Sequence, residues 1–495
     1  MDFLDPRKKS RRRRRVIAAY LLMGLLVAGG TAVLIYSSFG YGIDTKTGQI
    51  IQNGLVFVGS QPKSAEIYLN GVDSGKSTPA HSLLSSSTRL TLPAGKYVLS
   101  LRQTGYRSWQ RKFTLDAQDL MRLDYPLLIP AKLTTKNLAS YVSKPAFITQ
   151  SPDQHWVLVA QPGTSGGLSF SQFNASKPSA GPTELNLPAG VATLTSGSWR
   201  LIEWSANNNF LLLEHLAGKK NEFIMFDRAA PAKSINLSRL SGVATNQVVL
   251  RNGNSNQFYI YQTKGGLLQS FNSDTKSLAS VAIGVLAFQP LGQDKLIYIT
   301  TSGAPAGTVL VKILDKLSNY ELTSLKLAGT YLLAAASYQG HDYFSVGTSA
   351  ALKFNIYKDP LFNLSLTPAK SPKVLATLSL ANAQALNVSP ASRFIALESG
   401  QNISVYDIQT LQAYSFRLSS SLAQPAVWAD DYHLAAQTTS NQALLSDYDG
   451  SNRQLLVTSS LSAGAYFDPA YDQMFTELVS RSGASLQITS LVVPH

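Results

Sequence analysis

The chain has 495 residues, of which 44% are hydrophobic and only 15% are charged. This balance excludes a wholly disordered protein, because disorder needs low hydrophobicity and abundant charge, and the length predicts several domains. The absence of cysteine excludes disulfides, thiolate metal sites, a cysteine nucleophile and a lipobox acyl anchor. The net charge of +14 is compatible with nucleic-acid binding only if the basic residues cluster on a folded domain.

The first forty residues predict a membrane span. Residues 16–36 contain no charged side chain, and about 20 apolar residues cross the hydrocarbon core of a bilayer. We therefore expect a transmembrane signal anchor over residues 16–38. The alternative is a secretory signal that is cleaved, for which Gly30-Thr31-Ala32 offers a site of small residues.

A basic segment precedes the predicted span and indicates its orientation. Clusters of lysine and arginine remain on the cytoplasmic side of the helix that they border. Residues 1–15 are therefore predicted to be a cytoplasmic tail, with the bulk of the chain extracytoplasmic. The topology signal is a run of five arginines, Arg11, Arg12, Arg13, Arg14 and Arg15.

A linker over residues 39–53 leads to a segment, 54–130, in which short apolar runs alternate with turn residues. This pattern predicts a small β-sandwich. Asn70-Gly71 is a strong hairpin signal, because a type I′ turn needs positive φ at both central residues.

The segment from about residue 55 to 129 resembles the PEGA domain, an extracytoplasmic β-sandwich module. The residues that carry the resemblance are structural: Pro62, Ala65, Asn70, Gly71, Gly75, Thr78, Pro79, Gly95, Tyr97, Gly105 and Tyr106. The signature Pro-Glu-Gly-Ala is replaced by Pro62-Lys63-Ser64-Ala65, which counts against a turn that requires glycine at position 64. The resemblance implies an envelope-facing module and no catalytic residue.

A string similar to a phosphate-binding loop lies inside this segment but lacks its context. Residues 71–77 place three residues between the glycines where the motif has four, and a hairpin is predicted where the motif needs a strand-to-helix turn. We therefore predict no nucleotide site and no cofactor.

Residues 131–495 repeat a hairpin pattern at intervals of about 40 to 50 residues, which is typical of a β-propeller. Each repeat has an apolar core followed by a second strand-like run. The eight cores begin at Trp156, Phe210, Phe258, Leu296, Tyr343, Phe394, His433 and Met474. The repeats resemble the blades of TolB-type, WD-repeat-like propellers.

The repeats predict eight blades, with seven blades as the alternative. The last repeat leaves no residues for an outer strand, and a strand over 131–137 would fill that place and remove an exposed edge. Two β-sandwiches in series are the other arrangement compatible with the strands.

The sequence offers no catalytic constellation and no metal site. The six histidines have no ligand-like spacing, and His155 and His341 are interpreted as turn residues. The run from Asp447 to Asn452 has spaced acidic residues followed by glycine, but it lacks the bidentate glutamate of a calcium loop. We interpret it as a structural turn.

These features together predict an all-β ectodomain on one N-terminal transmembrane helix. The expected function is that of a membrane-anchored binding or scaffold protein of the cell envelope, with a protein or an anionic cell-wall polymer as partner. The alternative is an enzyme acting on envelope glycans in the propeller channel, which would need paired carboxylates. Nucleic acid is not an expected partner, because outside the tail the basic residues do not cluster in the sequence.

Overall fold

The computed structural model describes residues 6–38, 41–43, 48, 50–79, 86–163, 166–292, 294–440, 442–458, 464–480 and 483–493. The chain divides into two compact units, Met1–Lys132 and Leu133–His495, called here the first and second units. The first unit begins with helix α1, Pro6–Ser38. The part of α1 over Val16–Ser37 has a mean hydropathy of 2.1, so it is long and apolar enough to cross a membrane. A signal sequence would share this length and composition.

The rest of the first unit forms two four-stranded sheets. One has the order β1-β2-β5, with β8 pairing parallel to β2, and the other has the order β4-β3-β6-β7. Both sheets contribute buried apolar side chains, among them Val56, Ile67, Leu99 and Trp109. The strands are β1 Tyr41–Ile43, β2 Ile50–Val58, β3 Glu66–Leu69, β4 Val72–Ser77, β5 Thr88–Pro93, β6 Gly95–Arg102, β7 Trp109–Leu115 and β8 Leu120–Leu123.

The second unit consists of eight four-stranded antiparallel sheets, numbered here 1 to 8 in chain order. Sheets 1 to 4 contain β10 Phe147–Gln150, β11 Trp156–Pro162, β12 Leu168–Asn174, β13 Thr183–Asn186, β14 Ser198–Trp204, β15 Phe210–Ala217, β16 Lys220–Asp227, β17 Ile235–Asn236, β18 Gln247–Leu250, β19 Gln257–Gln262, β20 Leu267–Asn272, β21 Ser277–Ala282, β22 Val285–Leu291, β23 Lys295–Thr300, β24 Thr308–Asp315 and β25 Ser318–Lys326.

Sheets 5 to 7 continue the same order, and sheet 8 takes its fourth strand from the start of the unit. Their strands are β26 Tyr331–Tyr338, β27 His341–Thr348, β28 Lys353–Lys358, β29 Val374–Ser379, β30 Ala385–Val388, β31 Phe394–Ser399, β32 Asn402–Asp407, β33 Gln412–Arg417, β34 Val427–Trp428, β35 His433–Gln437, β36 Gln442–Asp447, β37 Gln454–Thr458, β38 Tyr466–Phe467, β39 Gln473–Ser480, β40 Gly483–Ser490 and β9 Thr134–Tyr141. Short helices α2, Leu237–Ser241, and α3, Pro360–Leu364, follow β17 and β28.

The eight apolar cores found in the sequence are the second strands of the eight sheets. Strand β31, for example, is buried along nearly its whole length, whereas the fourth strand β33 alternates between exposed and partly buried residues. A strand covered on both faces needs a continuous apolar run, and an outer strand does not. This difference explains why the second strands gave the clearest sequence signal.

Contacts join each sheet to the next and sheet 8 back to sheet 1. Val157 and Val159 of sheet 1 pack with Phe475 and Leu486 of sheet 8. On its other side, sheet 1 packs through Phe170 against sheet 2. The first strands of neighbouring sheets, such as β22 and β26, also contact each other. The arrangement is therefore propeller-like.

Strand β9 is the strand that the sequence places before the first repeat, lying at 134–141 where 131–137 was expected. It pairs antiparallel with β40, from Thr134 opposite Ser490 to Tyr141 opposite Ala484. The hydroxyls of Thr135 and Thr489, 354 residues apart in the chain, lie 2.8 Å apart. The beginning and the end of the unit are thus held in one sheet.

The turn at Ser64 corrects one expectation. Ser64 has φ of +68°, in the left-handed region that favours glycine, so the turn is made without the glycine of the PEGA signature. The next residue, Ala65, is fully buried, and its amide donates to the Thr78 hydroxyl at 2.9 Å. Burial of this neighbour holds the serine in a conformation that it would otherwise avoid.

Replacing Ser64 by glycine is expected to stabilise the first unit by about 1 kcal/mol, because glycine adopts positive φ without the steric cost. Native-state hydrogen exchange of the β6 amides would measure the change. Ser77→Gly, in strand β4, is the matched control and should destabilise the unit by roughly 0.5–1 kcal/mol. Equal effects of the two substitutions would contradict the prediction.

Candidate functional site

A cavity of about 640 Å³ opens among the first strands of sheets 1, 7 and 8. Its lining includes Gln150 of β10, Trp428 of β34, Tyr466 of β38 and Gln437 of β35. The turn that carries Asp430 and Asp431, between β34 and β35, also lines it. Concave surfaces with a few convergent polar groups are typical of ligand sites.

Asp430 belongs to a buried ion-pair cluster. The Nδ1 atom of His433 lies 2.6 Å from the Asp430 carboxylate, and its Nε2 atom lies 3.5 Å from the Asp447 carboxylate. The Tyr471 hydroxyl of sheet 8 donates to Asp430 of sheet 7. The cluster therefore ties two neighbouring sheets together.

The pKa shifts in this cluster follow from its geometry. Burial alone would raise the pKa of Asp430, but the charge and hydrogen bond of His433, with the Tyr471 and Tyr432 donors, lower it below its usual value. Burial alone would lower the pKa of His433, but Asp430 and then Asp447 raise it. His433 is thus held as an imidazolium between two carboxylates, which is a structural role.

Two hydrogen-bond donors in the cavity have no partner within the protein. They are Nε1 of Trp428 and Nε2 of Gln437, and the Gln437 side chain is buried. The neighbouring Asp431 carboxylate accepts one hydrogen bond, from the Ala391 amide at 2.6 Å. Burial, offset in part by that amide, raises the pKa of Asp431. Donors and an acceptor at one cavity suit a ligand that forms hydrogen bonds.

The cavity does not offer a free pair of carboxylates. Asp430 accepts hydrogen bonds from His433, Tyr432 and Tyr471, so its oxygens are occupied. Glu203 lines a different cavity of about 360 Å³, and burial raises its pKa to about 7. Burial also raises the pKa of Glu398 to about 7, and its carboxylate accepts from the Ala426 amide at 2.8 Å.

The aspartate-rich run that follows β36 forms a hydrogen-bonded turn. Asp447 accepts from the side-chain amide of Asn452 at 2.8 Å, and Asp449 accepts from the Ser451 amide at 3.0 Å. Among the residues that the structure describes, no group of three or more histidine, aspartate or glutamate side chains could hold a metal ion.

Several other sheets have an equivalent turn after the third strand. Asp407 accepts from the amides of Gln409 and Thr410, at 2.9 and 3.4 Å, and Asp227 accepts from those of Ala229 and Ala230. Asn174 and Asn272 end their strands in the same way. An aspartate or asparagine that binds amides two and three residues ahead directs the chain into a turn.

Antiparallel strand order gives the second unit two faces. The turns between first and second strands and between third and fourth strands lie at one end of the sheets, which we name the aspartate face. The turns between second and third strands and the connections between sheets lie at the other end, the lysine face.

All fourteen aspartates of the second unit belong to the aspartate face, in its turns or next to them at the strand ends: Asp153, Asp227, Asp274, Asp294, Asp315, Asp342, Asp359, Asp407, Asp430, Asp431, Asp447, Asp449, Asp468 and Asp472. Some join neighbouring sheets through ion pairs, such as Arg251 with Asp294 and Lys295 with Asp342. Twelve basic residues accompany them: Lys177, Arg228, Lys233, Arg251, Lys276, Lys295, Lys316, Lys358, Lys370, Lys373, Arg393 and Arg453. The charges of this face nearly balance.

The lysine face has charge of one sign only. Within the described ranges, its turns and connections contain no aspartate or glutamate. Eight exposed basic residues lie there: Lys144, Lys219, Lys220, Arg239, Lys264, Lys326, Lys353 and Arg417. The two arginines donate to neutral oxygens, Arg239 to the Gly190 carbonyl and Arg417 to the Gln401 side chain. No carboxylate in the described part of the chain forms an ion pair with any of the eight.

The predicted PEGA-type residues form turns in the first unit. Asn70 and Gly71 both have positive φ between β3 and β4, as the hairpin signal predicts, and the Asn70 side chain accepts from the Val98 amide of β6 at 2.8 Å. The Tyr97 hydroxyl donates to the Pro93 carbonyl at 2.8 Å. Gly75 lies within β4, so the string similar to a phosphate loop is part of a strand.

The other predicted motif residues also lie in turns or at strand ends. Pro62 precedes the turn at Ser64, Pro79 follows Thr78, and Gly95 begins β6. Gly105 has positive φ beside Tyr106, which forms an isolated bridge with Pro130. The backbone of Arg11 to Arg15 lies in α1, whereas the side chains of these five residues fall outside the described part of the chain.

Comparison with known families identifies the module in the first unit. Residues 53–129 match the PEGA domain. The matched range covers both of the unit's four-stranded sheets except β1 and the start of β2. No curated protein matches the chain.

Solved structures with β-propellers match the remainder of the chain. The β-propeller domain of Cps50 (Swd1) from Myceliophteria thermophila is 11% identical, covers 73% of this chain and 100% of its own, and has a TM-score of 0.40. The Dos1 propeller is 12% identical, with coverages of 72% and 95% and a TM-score of 0.42. The computationally designed Ika8 protein is 13% identical, with coverages of 72% and 98% and a TM-score of 0.44.

Sequence reasoning missed the cavity and the difference between the two faces. Trp428 and Gln437 belong to separate strands and have no motif around them. The face charges were available in principle, because acidic residues avoid every second turn of the second unit. Recognising this pattern requires knowing which turns share a face, and pairing of the strands decides that.

Proposed function

We propose that the chain is a single-pass, membrane-anchored binding or scaffold protein of the cell envelope. In this proposal α1 is an uncleaved signal anchor with its N-terminus in the cytoplasm, and both β units are extracytoplasmic. The observation that carries the proposal is the 22-residue apolar stretch of α1, exposed along its length and directly preceded by five arginines. An apolar helix with that flank inserts with its basic end inside.

In the same proposal, the first unit is a PEGA-type β-sandwich and the second unit is an eight-bladed, TolB-type β-propeller. Eight consecutive four-stranded sheets, joined in cyclic order, support this assignment. Such units present loops on two rigid faces, which suits recognition of a protein or a cell-wall polymer. The cavity beside Asp431 is a site for a smaller group of the same partner.

Epitope tags at the two ends of the chain test this topology. With intact cells, external protease should remove the C-terminal tag and leave the N-terminal tag protected in the membrane fraction. A protected C-terminal tag would contradict the orientation, and loss of the N-terminal tag from the mature protein would show cleavage of a signal. Replacing Arg11 to Arg15 by glutamine should lower the correctly oriented fraction, because the orienting charge is removed.

A further inference from the structure

The lysine face combines its basic residues with exposed aliphatic side chains. Val142 is 96% exposed, Leu352 64%, Ile283 58% and Leu327 56%. All four lie in turns or connections of this face. Leu327 follows Lys326 and Leu352 precedes Lys353 in the sequence, so apolar and basic side chains alternate at the tips of the turns.

The aspartate face provides an internal comparison. Leu317, which follows Lys316 in a turn of that face, is 95% exposed. Asp315 precedes this pair, and the aspartates of the face offset its lysines. The two faces therefore share exposed Lys-Leu pairs, but only the lysine face combines them with uncompensated positive charge.

This combination suits one kind of partner. A basic residue near an anionic leaflet adds about fivefold to the affinity, and several such residues act together within the Debye length. Aliphatic side chains add to binding by entering the boundary between headgroups and acyl chains. A soluble anionic polymer offers charge but no hydrocarbon for Leu327 and Leu352. A lipid surface offers both.

We propose that the lysine face docks on an anionic lipid surface, with the aliphatic residues of its turns in the headgroup region. The proposal rests on the proposed function, because the α1 anchor would keep the second unit close to lipid and raise its effective concentration there. Docking would orient the second unit with its aspartate face and the cavity beside Asp431 away from the bilayer.

The absence of cysteine allows a direct test with the full chain. Leu352→Cys and the matched control Leu317→Cys, each labelled with a polarity-sensitive fluorophore, are placed in lipid nanodiscs of either phosphatidylglycerol or phosphatidylcholine. We expect the label at position 352 to shift to the blue in phosphatidylglycerol discs only. The label at position 317 should report water in both. High salt should reverse the shift, because it screens the attraction.

Charge reversal separates docking from a general effect of charge. Replacing Lys219, Lys220, Lys326 and Lys353 by glutamate should shift the equilibrium toward the undocked state more than about a hundredfold and abolish the blue shift. The same change at four lysines of the aspartate face, Lys276, Lys316, Lys370 and Lys373, should leave it intact. An unchanged shift in the first variant would overturn the proposal.

Failure of the anchor and failure of docking have different signatures. A chain that does not enter nanodiscs contradicts the anchored function, whereas a chain that enters them with a water-exposed label at position 352 contradicts only the docking proposal. Binding of soluble polyphosphate with the label still in water would assign the lysine face to a polyanion and overturn the lipid proposal.

Discussion

Replacing residues 134–141 by a glycine–serine segment of equal length is expected to cause the largest loss of stability in the second unit. The change removes β9, the strand that joins the start of the unit to β40 at its end. Closing a loop of more than 100 residues is worth on the order of 5 kcal/mol in chain entropy, and β40 would gain an unpaired edge. Thermal unfolding should show a transition lowered by many degrees, with aggregation.

The matched control is the same replacement over residues 183–186, which removes β13, the fourth strand of sheet 1. Both changes take away an outer strand, but only the loss of β9 frees the two ends of the unit. The control should therefore be clearly less destabilising. Equal losses would show that β9 contributes only as an outer strand and would contradict its role in holding the ends together.

His433→Gln is expected to destabilise the second unit by about 3–5 kcal/mol. The substitution removes the cation between Asp430 and Asp447 and leaves their carboxylates buried without it. Removing one member of a buried ion pair has an effect of this size, because the remaining charge has lost its compensation. Denaturant unfolding of the variant and the unchanged chain would measure the difference.

The pH dependence gives this prediction a second readout. The raised pKa of His433 contributes stability that is complete below its ordinary value of 6.5 and is lost as pH rises through the folded value. The lowered pKa of Asp430 contributes stability that is present above its ordinary value of 3.8 and is lost as pH falls through the folded value. The effect of His433→Gln should therefore be largest between these two ordinary values and shrink at alkaline pH.

His155 is the matched control for this substitution. It lies in the equivalent turn of sheet 1, its side chain is 55% exposed, and Nδ1 lies 2.8 Å from the Asp153 carbonyl oxygen. Because the solvent screens this contact, His155→Gln should change the free energy of unfolding by less than about 1 kcal/mol. A similar loss at both positions, or a His433→Gln effect independent of pH, would contradict the ion-pair interpretation.

Local patterns carried much of the prediction. A long apolar stretch, an Asn-Gly turn and a continuous apolar run are each signals of fewer than thirty residues, and they predicted α1, the β3–β4 hairpin and the eight second strands. The departure at Ser64 shows the limit of this reasoning. A glycine position can be filled by serine when burial of neighbours such as Ala65 outweighs the local backbone preference.

The sequence by itself determined the all-β character of the chain, its PEGA-type segment, its repeating sheets and the apolar helix that could span a membrane. The tertiary structure decided the contacts that no local pattern contains. Pairing of β9 with β40 joins residues more than 300 positions apart, and the same antiparallel pairing assigns each turn to one face or the other. The sorting of aspartates and lysines onto opposite faces, and the meeting of Trp428, Asp431 and Gln437 at one cavity, follow from that pairing because it sets which distant residues become neighbours.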